Sequence, residues 1–396
     1  MSHRRIAAGA SLIAAALAGG LLVTQLPANA DGAPRVDDVV GVGSDVMQSA
    51  LNFLADGSTS NPGYNAAGNR NRVFSFDASG DANGRKSGTD PALSADGHTS
   101  TALNPTFILR AGTSPVQRPN GGGVGLAALL ADGSANRVSF ARSPNLPTAA
   151  QQAQAQQSVA SGGLGTPLHS VQIATDVDYI ATATTTNAPS NLSATDLTNI
   201  YNGTYTTWGQ IPGYSGPAPS ATIKALIPQT GAGMRTIFLN GLKAGNGGTT
   251  VTVAASVTQV QQNDPTAITS LPAADQPNAI VPFPLGRFNL LGSGYFRNPD
   301  QVYSQANPPA ALSTTGLKLQ NGASAWSVTF PYFVIFRDSA LDLGPWQPGG
   351  TLNWAQTLFS DAGGPAPFVN TAPGKALLSD AGVTPAYDDR GSATSG

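Results

Sequence analysis

Hydrophobic positions along the chain alternate between two spacings. Short runs rich in Val, Ile and Phe give way, across a glycine-containing turn, to stretches with apolar residues three or four apart. "VDDVVGVGSDVMQSALNFLADG" sets the pattern: a β-branched strand, a turn at Gly41 to Asp45, then helical spacing through Val46, Ala50, Leu51 and Leu54. Ser44 or Asp45 is placed to cap that helix. "TFILR", "PVQRPNGGGVG" and "LAALLADG" repeat the unit as strand, turn and short helix, and "RVSFARSPN" is a strand entering a turn at Arg142 and Ser143. "AAQQAQAQQSVASGG" is a Gln/Ala-rich connector, either a helix or a low-complexity loop.

From Leu168 the same grammar resumes. "HSVQIATDVDYIATATT" alternates like strands and marks passage into a second domain. "NLSATDLTNIYNG" carries a capping box, Ser193 with Asp196, then a helix and an Asn202-Gly203 stop. "IKALIPQTGAGMRTIFLNGLKAGNGG" reads as strand, glycine-rich turn and helix, and "VTVAASVTQVQQNDPTAI" as a further β/helix segment. "AIVPFPLGRFNLL" returns the chain to the first domain, and "WSVTFPYFVIFRD" reads as a last strand pair. Such units in both halves predict an α/β protein with mostly parallel sheets, whose ligand site lies at the carboxyl ends of the strands. The expected division is a leader at 1–30, a first domain at 31–167, a second at 168–280, a return segment at 281–386, and a disordered tail at 387–396.

The leader follows from the first residues. "MSHRR" is basic, "IAAGASLIAAALAGGLLV" is apolar, and Ala28-Asn29-Ala30 has the small-x-small form of a cleavage site, so a secretory signal is favoured over a retained anchor. With no cysteine there is no lipid attachment and no disulfide framework. The expectation is a protein exported and released, or held at the cell envelope by non-covalent contact. Charged residues make up only 11% and the formal net charge is -2, so no basic surface points to nucleic acid. "DASGDANGRKSGTD", within a polar excursion from Gly57 to Thr106, has a displaced glycine and no closing glutamate, and reads as a solvated loop rather than a calcium site.

Against that low charge, four turns stand out: Gly41–Asp45, Arg118–Gly125, Arg142–Asn145 and Thr230–Arg235. One glycine turn is ordinary punctuation. Four in order, three opening a helix and three holding an arginine, suit an oxyanion held by helix N-termini and guanidinium groups. Enzyme readings find little support. Beyond the leader the chain has two histidines, His98 in the polar excursion and His169 at a strand edge; there is no G-x-S-x-G elbow, Walker lysine, dinucleotide fingerprint or zinc-ligand cluster. The pair Asp176/Asp178 is not distinguished from a solvated strand edge. No cofactor and no metal are implied.

Taken in order, "GVGSD", "RPNGGGVG…VSFARSPN", "NLSATDLTNIYNGTYTTWGQI", "IPQTGAGMRTIFL" and "NDPTAIT" resemble the phosphate-binding proteins of phosphate ABC transporters, in particular their exported actinobacterial relatives. The resemblance implies the type II periplasmic-binding-protein fold: two α/β lobes joined by a hinge, closing on an oxyanion. It implies a secreted, monomeric solute-binding protein for phosphate, with a phosphate ABC transporter permease as a candidate partner and no catalysis. The family's loops fall on Gly43, Ser44 and Asp45; on Asn120 to Gly125, including Gly122, where glycines replace serines; on Arg142 and Ser143, with Pro144 in the place of a ligand-gripping aspartate; and on Thr230, Gly231, Ala232, Gly233 and Met234, where two hydroxyl donors are missing. Pro228 stands where an arginine is expected, and Arg235 lies just beyond the turn. Backbone N–H groups and Ser44 would cradle the anion, Arg142 and Arg235 would supply charge, Ser143 and Thr230 would orient it, and Asp45 would accept the proton of the monohydrogen form. The alternative is an envelope or matrix protein that keeps the fold with a degenerate site.

Overall fold

A computed structural model describes residues 34–395 apart from 59, 68–70, 79–85, 88–100, 103–105, 293–315, 345–351 and 363. The expected leader, most of the calcium-like loop and His98 lie outside the described residues. From Asp31 onward the chain forms one compact unit.

Its frame is a ten-stranded mixed sheet. β1 (Val39–Gly43) is a run in which every residue is buried, because helices cover both faces. It pairs in parallel with β2 (Val73–Ser75) and β3 (Phe140–Ser143). In the other half β5 (Lys224–Pro228) pairs in parallel with β6 (Thr258–Val260) and β7 (Ala279–Pro284). Two long antiparallel strands join the halves. β4 runs through Leu168–Ala183 and β9 through Ser327–Arg337; they pair along eleven positions with one irregularity at Tyr332/Phe333. β8 (Leu317–Gln320) and β10 (Thr384–Gly391) complete the sheet against β4. The flanks are thus parallel as expected, and the middle is antiparallel.

The segments expected as several strands, 169–185 and 326–338, are single strands that cross from one half to the other. The tail expected to be disordered is a strand as far as Gly391, and Ser395 N–H donates to the Pro147 carbonyl. Its anchor is chemical: His169 lies between Asp389 (2.6 Å) and Asp338 (2.9 Å) and stacks on Phe336. His169 is therefore a buried structural group rather than a strand-edge one.

Helices α1 (Gln48–Asp56), α2 (Gly122–Ala131) and α3 (Ala149–Gln156) pack on the first half with α7 (Trp354–Leu358) and α8 (Ala372–Asp380). α4 (Ala194–Tyr201) and α5 (Gly233–Gly245) cover one face of the second half, with α6 (Leu285–Gly292) against the other. The Ser193/Asp196 capping box forms as read, and the Gln/Ala connector becomes α3, capped by a Thr148/Gln151 box. Neither Ser44 nor Asp45 caps α1, which starts after Met47, and the segment 251–268 contributes β6 and turns but no helix. No helix among the described residues is long and apolar enough to cross a membrane.

β4 carries an unexpected burden. Asp176 and Asp178 are buried, not solvated. Burial pushes Asp176 up to about 6, although Gly286 N–H, Val177 N–H and the Tyr332 hydroxyl oppose the shift. Burial, then the nearby Asp176, raise Asp178 further, and both its carboxyl oxygens lack a partner. Desolvation of a lone carboxylate favours the neutral acid.

The sign of the pH dependence follows. Both acids bind protons more tightly folded than unfolded, so the stability they contribute is full below about 4 and is lost as pH rises through their folded values. His169 acts in the same direction, because its two aspartates outweigh desolvation and raise it. Asp38 and Asp389 are held low by Arg35 and His169 against burial and act oppositely, but only in stronger acid. The thermal midpoint is therefore expected to be higher at pH 5 than at pH 7.5. Asp178→Asn should raise the midpoint at pH 7.5 and shrink that difference; an unchanged difference in the variant refutes the assignment.

Candidate functional site

The carboxyl ends of β1, β3, β5 and β6 converge, and three helices begin there. α1, α2 and α5 all lack a capping side chain at the N-terminus. Away from this place α3, α4, α7 and α8 are capped by Thr148, Ser193, Asn353 and Thr371. An uncapped start leaves N–H groups unsatisfied at the end carrying roughly half a positive charge.

Glycine makes the convergence of α2 and α5 possible. Gly121 has φ 111°, and a Cβ there would fall 2.9 Å from the Gly231 carbonyl oxygen. A Cβ on Gly122 would meet Pro144 Cδ at 2.8 Å, and one on Gly233 would meet Pro144 Cγ at 2.6 Å. The two helix starts therefore sit side by side, with the Pro144 ring wedged between them where the family's aspartate was looked for.

The arginines behave differently from expectation. Arg142 is fully buried and turned under the loops. Its Nε donates to the Ser44 carbonyl (3.2 Å), one terminal nitrogen to Ser75 Oγ (2.6 Å), and the other to the carbonyls of Gly43 (3.2 Å) and Phe76 (2.6 Å). Arg235 is half-buried and donates to the Pro228 carbonyl; burial lowers its pKa. Other expected donors are also engaged. Ser44 N–H donates to the Arg142 carbonyl, Ser143 Oγ bonds within its own turn to Asn145, and Thr230 N–H and Oγ1 both donate to Gln259 Oε1. Ala232 N–H donates to the Gln229 carbonyl, and Met234 is packed into the first core cluster.

What fills the convergence is a set of side-chain amides spanning both halves. Their orientation is fixed at one end by a backbone group. Gln262 N–H donates to Gln229 Oε1 (2.8 Å), so Gln229 Nε2 is the donor to Gln261 Oε1 (3.2 Å). Asn120 Nδ2 also donates to Gln261 Oε1 (3.2 Å), which leaves Asn120 Oδ1 to accept from Gln262 Nε2 (3.2 Å). At the other end Asn263 Nδ2 donates to the Asp45 carboxylate (3.1 Å). Three atoms are left over: Gln261 Nε2, Gln262 Oε1 and Asn263 Oδ1, all closed from solvent and without partners. Their residues are 5%, 1% and 6% exposed. Orphaned buried amides are costly, about 1–3 kcal/mol each, and call for an explanation.

Of the residues expected at the site, Asp45, Asn120, Gly122, Ser143, Gly231, Ala232 and Gly233 are brought to this convergence, with Ser44 at its edge. Arg142, Thr230, Met234 and Arg235 face other partners. Gln229, Gln261, Gln262 and Asn263 were not anticipated. The signal was present: each stands directly beyond β5 or β6, at the carboxyl end, but the strand end within "VTQVQQND" could not be placed by pattern.

The sequence model of the PBP superfamily domain matches residues 28–283, and the chain belongs to that superfamily of binding proteins, which are not enzymes. Among solved structures it is similar to a putative phosphate ABC transporter substrate-binding protein with bound phosphate from Clostridium perfringens, at 12% identity and TM-score 0.46, covering 88% of this chain and 99% of that one. It is also similar to an ABC-type phosphate transport receptor from Vibrio cholerae, at 15% identity and TM-score 0.43, covering 88% and 99%. A third is the phosphate-bound periplasmic protein PfluDING, at 15% identity and TM-score 0.46, covering 88% and 90%. No curated protein gives a significant match.

Arg142 and Arg235 can be told apart by stability. Arg142→Lys strands several buried carbonyls that one ammonium cannot reach together, and should cost about 3 kcal/mol or more in urea unfolding. Arg235→Lys should change stability by less than about 1 kcal/mol. Equal effects would contradict the buried placement of Arg142.

Proposed function

We propose that the protein captures an inorganic oxyanion, phosphate, between the two halves of the sheet. The observation that carries this is the meeting of two uncapped helix starts, α2 and α5, around buried amide atoms that have no protein partner. Helix N–H groups and Gln261 Nε2 supply donors to oxygen, and no metal or covalent chemistry is needed. Asp45 stands at the same place and accepts from Asn263 Nδ2, which leaves Asn263 Oδ1 as a buried acceptor that tells a protonated anion from sulfate. β4 and β9, the two strands that cross between the halves, supply the hinge on which the cleft opens. Export through the leader, life as a monomer at the cell envelope and delivery to a phosphate ABC transporter permease belong to this reading.

A second reading has specific support. Arg142 and Ser143 are turned to internal bonds, and Pro144 stands between the helix starts. These features suit an envelope or matrix protein that kept the fold and lost the site. Titration calorimetry separates the two. Saturable heat with phosphate and none with sulfate is expected, weakened at least tenfold in Asp45→Ala, a loss of about 1.4 kcal/mol. No heat with either anion hands the protein to the second reading.

A further inference from the structure

The orphaned atoms allow the guest's protonation state to be read. We propose that the site takes the singly charged, doubly protonated form of a tetrahedral oxyanion, H2PO4−, in preference to the dianion; this rests on the oxyanion-capture reading above.

The count is as follows. Two buried oxygens, Gln262 Oε1 and Asn263 Oδ1, need hydrogens and have none. Their identity as oxygens is forced, since the nitrogen of each amide already donates, to Asn120 Oδ1 and to the Asp45 carboxylate. One buried nitrogen, Gln261 Nε2, has a hydrogen to give, and the first-turn N–H groups of α2 and α5 lie alongside without caps. A guest that satisfies this set must bring two O–H donors and at least two bare oxygens. Dihydrogen phosphate has two of each. The monohydrogen dianion brings one O–H and leaves an amide oxygen facing a bare anionic oxygen, an acceptor against an acceptor. Sulfate brings none and leaves two.

Charge points the same way. The two helix starts together offer roughly one positive charge. The charged groups around the cluster are Asp45 after β1, Asp264 after β6, Arg142 on β3 and Arg235 on α5, with Arg287 on α6 lining the same small pocket as Asp45. Asp264 is taken by Thr266, and the guanidinium groups of Arg142 and Arg235 donate to main-chain carbonyls rather than into the cluster. Asp45 keeps its carboxylate at the cluster's edge, opposing a second negative charge on the guest.

The test is calorimetry on the mature, full-length protein with inorganic phosphate at pH 6.0 and 8.5, which bracket the second ionisation of phosphate. Asp176, raised by burial to about 6, also titrates in that window, so the same two pH values are run on Asp176→Asn, where the fall in affinity must persist or the proposal is overturned. The apparent affinity should fall about tenfold for each pH unit above that ionisation, because only the monoanion binds. At pH 6.0 methylphosphonate, whose monoanion has a single O–H, should bind at least tenfold more weakly than phosphate. Gln262→Met removes one orphan oxygen at similar volume, and should bring the two ligands to within about threefold of each other. Affinity that is level or rises with pH overturns the proposal while leaving phosphate capture standing, and so does methylphosphonate binding as tightly as phosphate. Absence of phosphate binding at both pH values overturns the proposal together with the reading it rests on.

Discussion

The arrangement depends on one guanidinium group. Arg142 sits beneath the ends of three parallel strands, and its guanidinium donates to three main-chain carbonyls and the Ser75 hydroxyl. Through the Gly43 and Ser44 carbonyls it holds the turn after β1, and through Ser75 and Phe76 it holds the end of β2. Being on β3 itself, it locks three strand ends to one another. Burying a charge is expensive unless it is fully hydrogen-bonded, so the cost enforces the geometry: the loops cannot drift without exposing the charge to partnerless surroundings. An arginine that looks from sequence like an anion's partner is the post on which the turns after β1 and β2 are hung.

With the charge turned inward, the cleft is left to dipoles. Helix starts and side-chain amides carry no net charge, yet buried from solvent they present donors and acceptors in fixed directions. This changes what the site discriminates. A charge responds to the sign and size of the guest's charge; an oriented amide responds to where its hydrogens are. Gln229, Gln261, Asn120 and Gln262 form a chain whose direction is set by the Gln262 backbone N–H, and Asn263 is oriented separately by the Asp45 carboxylate, so none can flip without breaking a bond.

Much of the fold was legible because parallel strands covered on both faces appear as unbroken apolar runs, and "VVGVG" and "AIVPFP" could be little else. Capping boxes were legible for the same local reason, as Ser193 with Asp196 shows. What escaped was set by distant contacts. The last residues are polar and read as loose, but His169, 220 positions earlier, holds Asp389 and with it β10. Asp176 and Asp178 alternate with apolar neighbours like an exposed edge, and only the crossing of β9 and α6 over β4 reveals them as buried. Arg142 was seen, but a side chain's direction is not written in its neighbours. The amides beyond β6 were missed because that strand is three residues long in a segment without regular period.

Those buried acids connect to the cleft through a single hydroxyl. Tyr332 Oη lies 2.9 Å from both the Val46 carbonyl and Asp176 Oδ2. A hydroxyl has one proton to give. If Asp176 is protonated, it donates to Tyr332, and Tyr332 donates to Val46; every group is satisfied. If Asp176 is ionised, it takes the tyrosine proton and the Val46 carbonyl is left buried without it. Val46 follows Asp45 directly, so the Tyr332 hydroxyl ties Asp176 on β4 to the turn after β1. Asp176 is costly as packing, and it makes sense as the other end of a short hydrogen-bonded line that begins at the turn after β1.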